Sequence, residues 1–241
     1  MDLIDKTVEL RGSQVLNMNS YKAIVYQRRF MAFATLLAWI GVVMLIVALA
    51  TTHWATIDFQ NSDFDQVQVD LGVWGEWRTK TNTRGQTIVE WIPHFPSPPE
   101  HVLRLSHTSL KHYYRSQAAM GVISMILLLS TNLLAIYTFY HHRYMFKRVV
   151  ACLYIVIAMV IYATIEILSN SIDEWDLRKR QDETDYETEK KMGYSTRLAQ
   201  CVIGICVFAA FCFAIGSHKQ KGDAAATAEL EIEDREYHIG R

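Results

Sequence analysis

The chain has 241 residues, is 51% hydrophobic and carries a formal net charge of -1 at pH 7. A balance so near neutral gives no electrostatic reason to expect nucleic acid or a strongly anionic partner. The apolar residues do not spread as in a soluble domain; they pool into four runs with charged stretches between them. That pooling excludes a single water-bounded core and predicts a chain built around a bilayer.

The runs are 30–52, 117–140, 149–169 and 198–216, each close to or above the roughly 20 residues a helix needs to cross hydrocarbon. Residues 1–29 are polar, with a turn-like Arg11-Gly12-Ser13 and with Arg28 and Arg29 placed to meet headgroups. No cleavable signal peptide is expected, so the first run serves as an uncleaved anchor. Lys22, Arg28 and Arg29 precede it and no basic residue follows until Arg78. Arg143, Lys147 and Arg148 mark the short 141–148 connection, and Lys219 and Lys221 open the 217–241 tail. The positive-inside bias therefore places both termini in the cytosol. Ala34, Ala38 and Gly41 in the first run, and Cys206, Ala210 and Ala214 in the fourth, are small residues at the spacing that lets helices approach in lipid.

Residues 53–116 form the first extracellular loop in this scheme. Five of the six tryptophans fall outside the runs, at Trp54, Trp74, Trp77, Trp91 and Trp175. Each ring needs somewhere to bury its surface, which predicts a folded unit and not a mere connection. Thr56 to Phe59 and Val67 to Leu71 alternate apolar with polar, the period of a half-buried strand. Glu76 to Thr81 and Gln86 to Trp91 flank Asn82-Thr83-Arg84-Gly85, a hairpin pattern. Pro93, Pro96, Pro98 and Pro99 then forbid regular structure, and Glu100 to Tyr114 can form a helix leading into the second run. The 170–197 segment, dense in charge of both signs, is read as a solvated second extracellular loop.

No catalytic constellation is present: there is no glycine-rich phosphate loop, no His-Glu-x-x-His and no Cys-x-x-Cys. An enzyme is not expected, nor a cofactor or a metal; His101, His107 and His112 read as one solvated helix face, and His141-His142 as a polar pair. Asn132 and Glu166 are the polar groups inside the runs. Asn132 is suited to interhelical bonding, and Glu166, one turn from a run's end, to the interface, to Asn170 or to a neighbouring helix. Cys152, Cys201, Cys206 and Cys212 all lie in or at the ends of the third and fourth runs, so no disulfide can staple the loops. Small buried side chains are their expected role, with palmitoylation an option at Cys152 and Cys212.

Four spans, cytosolic termini and a β-rich first loop, with Trp54 just after the first span and Gly72-Val73-Trp74 further on, together resemble the claudin superfamily. That group holds the claudins, the peripheral myelin proteins and the stargazin-like calcium-channel γ subunits. Gly72-Val73-Trp74 matches the family's Gly-Leu-Trp with one conservative change, and Arg115 stands where the family has an arginine before its second span. The likeness covers all four spans, while its sharp motif is these five residues. It implies a membrane all-α four-helix bundle carrying a small extracellular antiparallel β-sheet.

The family signature continues with two cysteines that link the sheet, and this chain has neither. Losing such a link costs about 2–5 kcal/mol, and the tryptophans are the candidates to replace it. The cysteine-free loop is similar to divergent invertebrate members such as the nematode Clc-like group. Arg241 gives a PDZ groove no apolar terminal side chain, so PDZ docking is not expected. The resemblance implies a plasma-membrane protein, in contact with the lipid bilayer, whose extracellular sheet binds another membrane protein. That partner would be a second copy or another junction protein at cell contacts, in adhesion or barrier formation. The alternative is an ion channel or receptor served by an auxiliary subunit. Asp58, Asp63, Asp65, Asp70 and Glu76 would attract cations if they clustered, though solvated strand faces account for them more simply.

Overall fold

The structure is a computed structural model describing residues 8–10, 14–16, 18–60, 64–95, 108–140, 144–182 and 188–217. In chain order these form β1 (Val8–Leu10), β2 (Gln14–Leu16), α1 (Met18–Ala50), β3 (Ala55–Gln60), β4 (Gln66–Leu71), β5 (Gly75–Thr81), β6 (Thr87–Pro93), α2 (Thr108–Tyr140), α3 (Tyr144–Asp182), β7 (Thr188–Met192) and α4 (Tyr194–Gly216). All four helices are long and apolar enough to cross a membrane, over Val25–Ala50, His112–Tyr140, Met145–Trp175 and Tyr194–Gly216. Each contributes to two compact units. One takes in Met1–Ile40, Leu128–Val156 and Ile205–Arg241; the other takes in Gly41–Leu127 and Ile157–Gly204.

The unit holding both termini is built by helix packing. On α1, Met31, Ala34 and Ala38 are buried while Phe33, Leu36 and Ile40 are exposed. An apolar exposed face suits a helix whose far side meets lipid, where small residues and not hydrophobicity select the interface. Phe33 of α1 meets Phe208 of α4 edge to face at 6.3 Å, and Tyr154 of α3 meets Phe213 of α4 at 5.9 Å. On α4, Cys206 and Ala210 are buried but Ala214 is exposed. Four residues turn a helix by more than a full circle, so a strict four-residue spacing drifts off the buried face; Phe213 takes that place instead. β1 and β2 pair antiparallel in the N-terminal segment read as turn-like and polar, with Val8 opposite Leu16.

The second unit carries a five-stranded, wholly antiparallel sheet in the order β6-β5-β4-β3-β7. Alternation sorts its faces. Ala55, Ile57, Val67, Val69, Leu71 and Ile92 are buried on one side, whereas Trp91, Trp77, Asp70, Thr56 and Lys191 form one cross-strand row on the other. Phe59 packs against Trp175 of α3 at 5.2 Å.

Helix α1 starts at Met18, ahead of the 30–52 run, with no proline or glycine interrupting the polar turns before the span. Two sequence expectations are corrected here. The 170–197 segment is not simply a solvated loop: α3 continues to Asp182, and β7 adds a fifth strand beside β3. Leu168, Ile172 and Trp175, spaced at i, i+4 and i+7, are all buried and keep that helix in phase beyond the 149–169 run. Pro93 ends strand β6 opposite Gly75, which an edge strand tolerates because one side of its backbone has no ladder to lose. The prolines at 96, 98 and 99 lie outside the described residues, as do Arg11-Gly12-Ser13, Asp63, His101, His107, His141 and His142.

Candidate functional site: the tryptophan-anchored sheet

Trp54 is fully buried and uses every polar group it has. Its indole N–H donates to the Ala48 carbonyl in the last turn of α1 at 2.7 Å. Its backbone N–H donates to Leu71 O at 2.9 Å, extending the β3–β4 ladder by one bond. Its carbonyl accepts from Gly193 N–H at 2.9 Å and from the Thr196 hydroxyl at 2.7 Å. One residue thus fastens the end of α1, the end of β4 and the start of α4. Beside it, Ser195 N–H donates to His53 O at 3.1 Å, and the Thr51 and Ser195 hydroxyls share a 2.7 Å bond. Gly193, Ser195 and Thr196 complete the junction, and no pattern in the sequence singled them out. Their role shows only once α4 lies beside α1.

Gly72 sits where β4 turns toward β5, its N–H donating to Gly75 O at 3.0 Å. A Cβ at Gly72 would stand 2.8 Å from that oxygen and 2.9 Å from the Thr52 backbone, so no side chain fits. Val73 is buried, and its carbonyl accepts from His94 Nδ1 at 3.2 Å. Trp74 points away from this core and is 44% exposed, in tilted contact with Phe95 at 6.2 Å. Trp77 and Trp91 are 41% and 39% exposed. Of the five tryptophans outside the runs only Trp54 and Trp175 are buried, which corrects the expectation that each ring buries its surface. Arg115 is exposed on α2, next to the buried Tyr114, whose ring stacks on His94 at 4.1 Å.

Among the described residues the loop acids are dispersed into separate pairs. Glu76 is buried, with Arg78 Nη2 3.5 Å and His94 Nε2 3.7 Å from its carboxylate. Asp65 pairs with Lys80 at 2.9 Å, and Asp70 accepts from the Thr56 hydroxyl at 2.7 Å. Asp58 lies 3.8 Å from Lys191, which also pairs with Glu189 at 3.1 Å. The Glu189 carboxylate, with Asp58 behind it, holds the Lys191 ammonium above its ordinary pKa.

Inside the spans, Glu166 is half-buried, with the Tyr162 hydroxyl, one turn back on its own helix, within hydrogen-bonding reach of its carboxylate. Asn132 is buried on α2 and its Oδ1 accepts from the Tyr154 hydroxyl of α3 at 2.7 Å. The four cysteines are free thiols, Cys206 and Cys212 buried, Cys152 and Cys201 exposed on helix faces. His112 is exposed on α2, and among the described residues no three His, Cys, Asp or Glu side chains gather to hold a metal.

A family model described as PMP-22/EMP/MP20/Claudin tight junction matches residues 39–215, well over half of the chain. The chain belongs to this claudin family. No individual curated protein matches it. Claudin membership and four apolar helices make it a multi-pass membrane protein with the claudin-like fold, four spans and an antiparallel sheet. Membership also points to a structural or transport-associated role and away from catalysis. Trp54, Gly72, Val73, Trp74 and Arg115 all fall within the matched residues.

Proposed function

We propose that this claudin-family protein stands in the plasma membrane with both termini in the cytosol, and that its extracellular sheet binds another membrane protein at cell contacts. It acts there in adhesion or barrier formation and catalyses nothing. The observation carrying this reading is the β6 edge. Among the described residues β6 has β5 as its one neighbouring strand, and Ile88 and Val89 on it are 57% and 59% exposed. An apolar strand edge left in water invites pairing with another chain. The exposed Trp74–Phe95 contact adds rigid aromatic area of the kind that dominates binding energy.

Lysine at the edge is the test, because it blocks strand addition while tolerating solvent. Val89→Lys, at native surface levels, is expected to lose most of its enrichment at contacts between expressing cells. Undiminished enrichment would contradict the reading. Capture of one channel or receptor from the same membrane, with no enrichment at contacts, would instead support the auxiliary-subunit alternative.

A further inference from the structure

Two aromatic pairs border one groove in the sheet-bearing unit. Trp77 and Trp91 stand opposite each other on β5 and β6, centroids 5.0 Å apart and planes inclined at 51°. His53 and Tyr194 stack with centroids 5.0 Å apart at 26°. With Thr51 and Thr52 these rings line a groove of about 460 Å³ that reaches Ala50. Ala50 ends the first candidate span and Tyr194 begins the fourth, so the groove opens where headgroups meet hydrocarbon. Gly75 shapes its wall: a Cβ there would strike the six-membered ring of Trp91, so a bare backbone is what lets that indole lie across β5.

We propose that this groove seats the headgroup of a phosphatidylcholine molecule from the surrounding leaflet, with its trimethylammonium against the aromatic rings. A quaternary ammonium offers no N–H and is recognised by the electron-rich faces of aromatic rings, tryptophan best. The lining suits that cation over a primary ammonium. It includes no carboxylate, and the Thr51 hydroxyl is already bonded to Val47 O and Ser195. Arg197 is exposed on α4 three residues after Tyr194, roughly 4.5 Å further into the span and on the neighbouring side of the helix. In a phospholipid the phosphate lies deeper than the choline. Rings at the membrane boundary and an arginine one turn below match that order.

Isolated boundary aromatics hold a protein at the interface whatever the headgroup; a built site discriminates. The purified full-length chain in detergent, titrated by native mass spectrometry with dioleoyl lipids, separates the two. Phosphatidylcholine is expected to bind about tenfold more tightly than phosphatidylethanolamine or phosphatidylglycerol carrying the same acyl chains. The double variant Trp77→Leu/Trp91→Leu should erase that preference. Tyr194→Leu, which removes a ring from a helix and leaves the strands untouched, should reduce it several-fold and decides the matter if the double variant does not fold. Arg197→Gln should weaken phosphatidylcholine and phosphatidylglycerol together while keeping their ratio. Equal binding of the three lipids by the native chain, or an intact preference in the folded leucine variants, would overturn the proposal. Stronger retention of sphingomyelin than of phosphatidylcholine would overturn the assignment of the occupant.

Discussion

Trp54 and the Trp77–Trp91 pair lie in the same unit, yet one is sealed and the others are open. Around Trp54 the ring, its N–H, the backbone N–H and the carbonyl are all engaged, on α1, β4, the loop before α4 and α4 itself. Trp74, Trp77 and Trp91 keep about two-fifths of their surface exposed. A tryptophan fastens a small sheet where its apolar body and its polar groups are satisfied together. Where only part of the ring is covered, the remainder is area offered to something else. The junction therefore fastens the sheet, and the rim presents surface.

The sheet's two edges repeat the contrast. β7 reads Thr-Glu-Lys-Lys-Met, and Lys190 reaches Ser169 at 3.1 Å and Asp173 at 2.8 Å on α3. A lysine-rich, tethered strand discourages further pairing. β6 carries the exposed Ile88, Val89 and Trp91, with Glu90 as its one charged residue.

The largest effect that tests this division is expected at Trp54. Trp54→Ala removes a buried ring and its bond to α1, and should cost about 3–5 kcal/mol, read as a fall in the detergent melting temperature and a loss of surface delivery. Gly72→Ala comes next, since its methyl would meet backbone atoms that cannot rotate away; overpacking of this kind costs about 1–3 kcal/mol, and the same melt checks it. His94→Ala should be similar or smaller, about 1–2 kcal/mol, through the lost Val73 bond and Tyr114 stacking, and would show as faster amide exchange along 72–76. Trp74→Ala should move stability least, within about 1 kcal/mol, while weakening contact-site enrichment. A Trp74→Ala loss as large as that of Trp54→Ala would erase the distinction between anchor and rim.

Much of this architecture is written locally. Length and apolarity mark the four spans, period-2 alternation marks β3 and β4, and the turn at 82–85 marks β5 and β6, each strand to within one or two residues. β7 escapes because Thr188–Met192 carries no apolar alternation; backbone pairing to β3 and the Lys190 tether hold it, and neither leaves a pattern. The helical course of 170–182 was written in Leu168, Ile172 and Trp175, but the charges between them hid the period. The Glu76, His94 and Tyr114 group joins residues from β5, the end of β6 and α2, so only the folded sheet assembles it. Trp54 and Trp74 look alike in sequence, each an isolated aromatic beside a turn. Their opposite burial follows from which one meets the ends of two helices.

Hydroxyl-radical footprinting of the tryptophans in the purified chain tests the central claim most directly. Trp74, Trp77 and Trp91 should oxidise rapidly, with Trp54 and Trp175 strongly protected until the protein unfolds. Rapid oxidation of Trp54 in the folded chain, or protection of Trp74, Trp77 and Trp91 equal to that of Trp54, would contradict it.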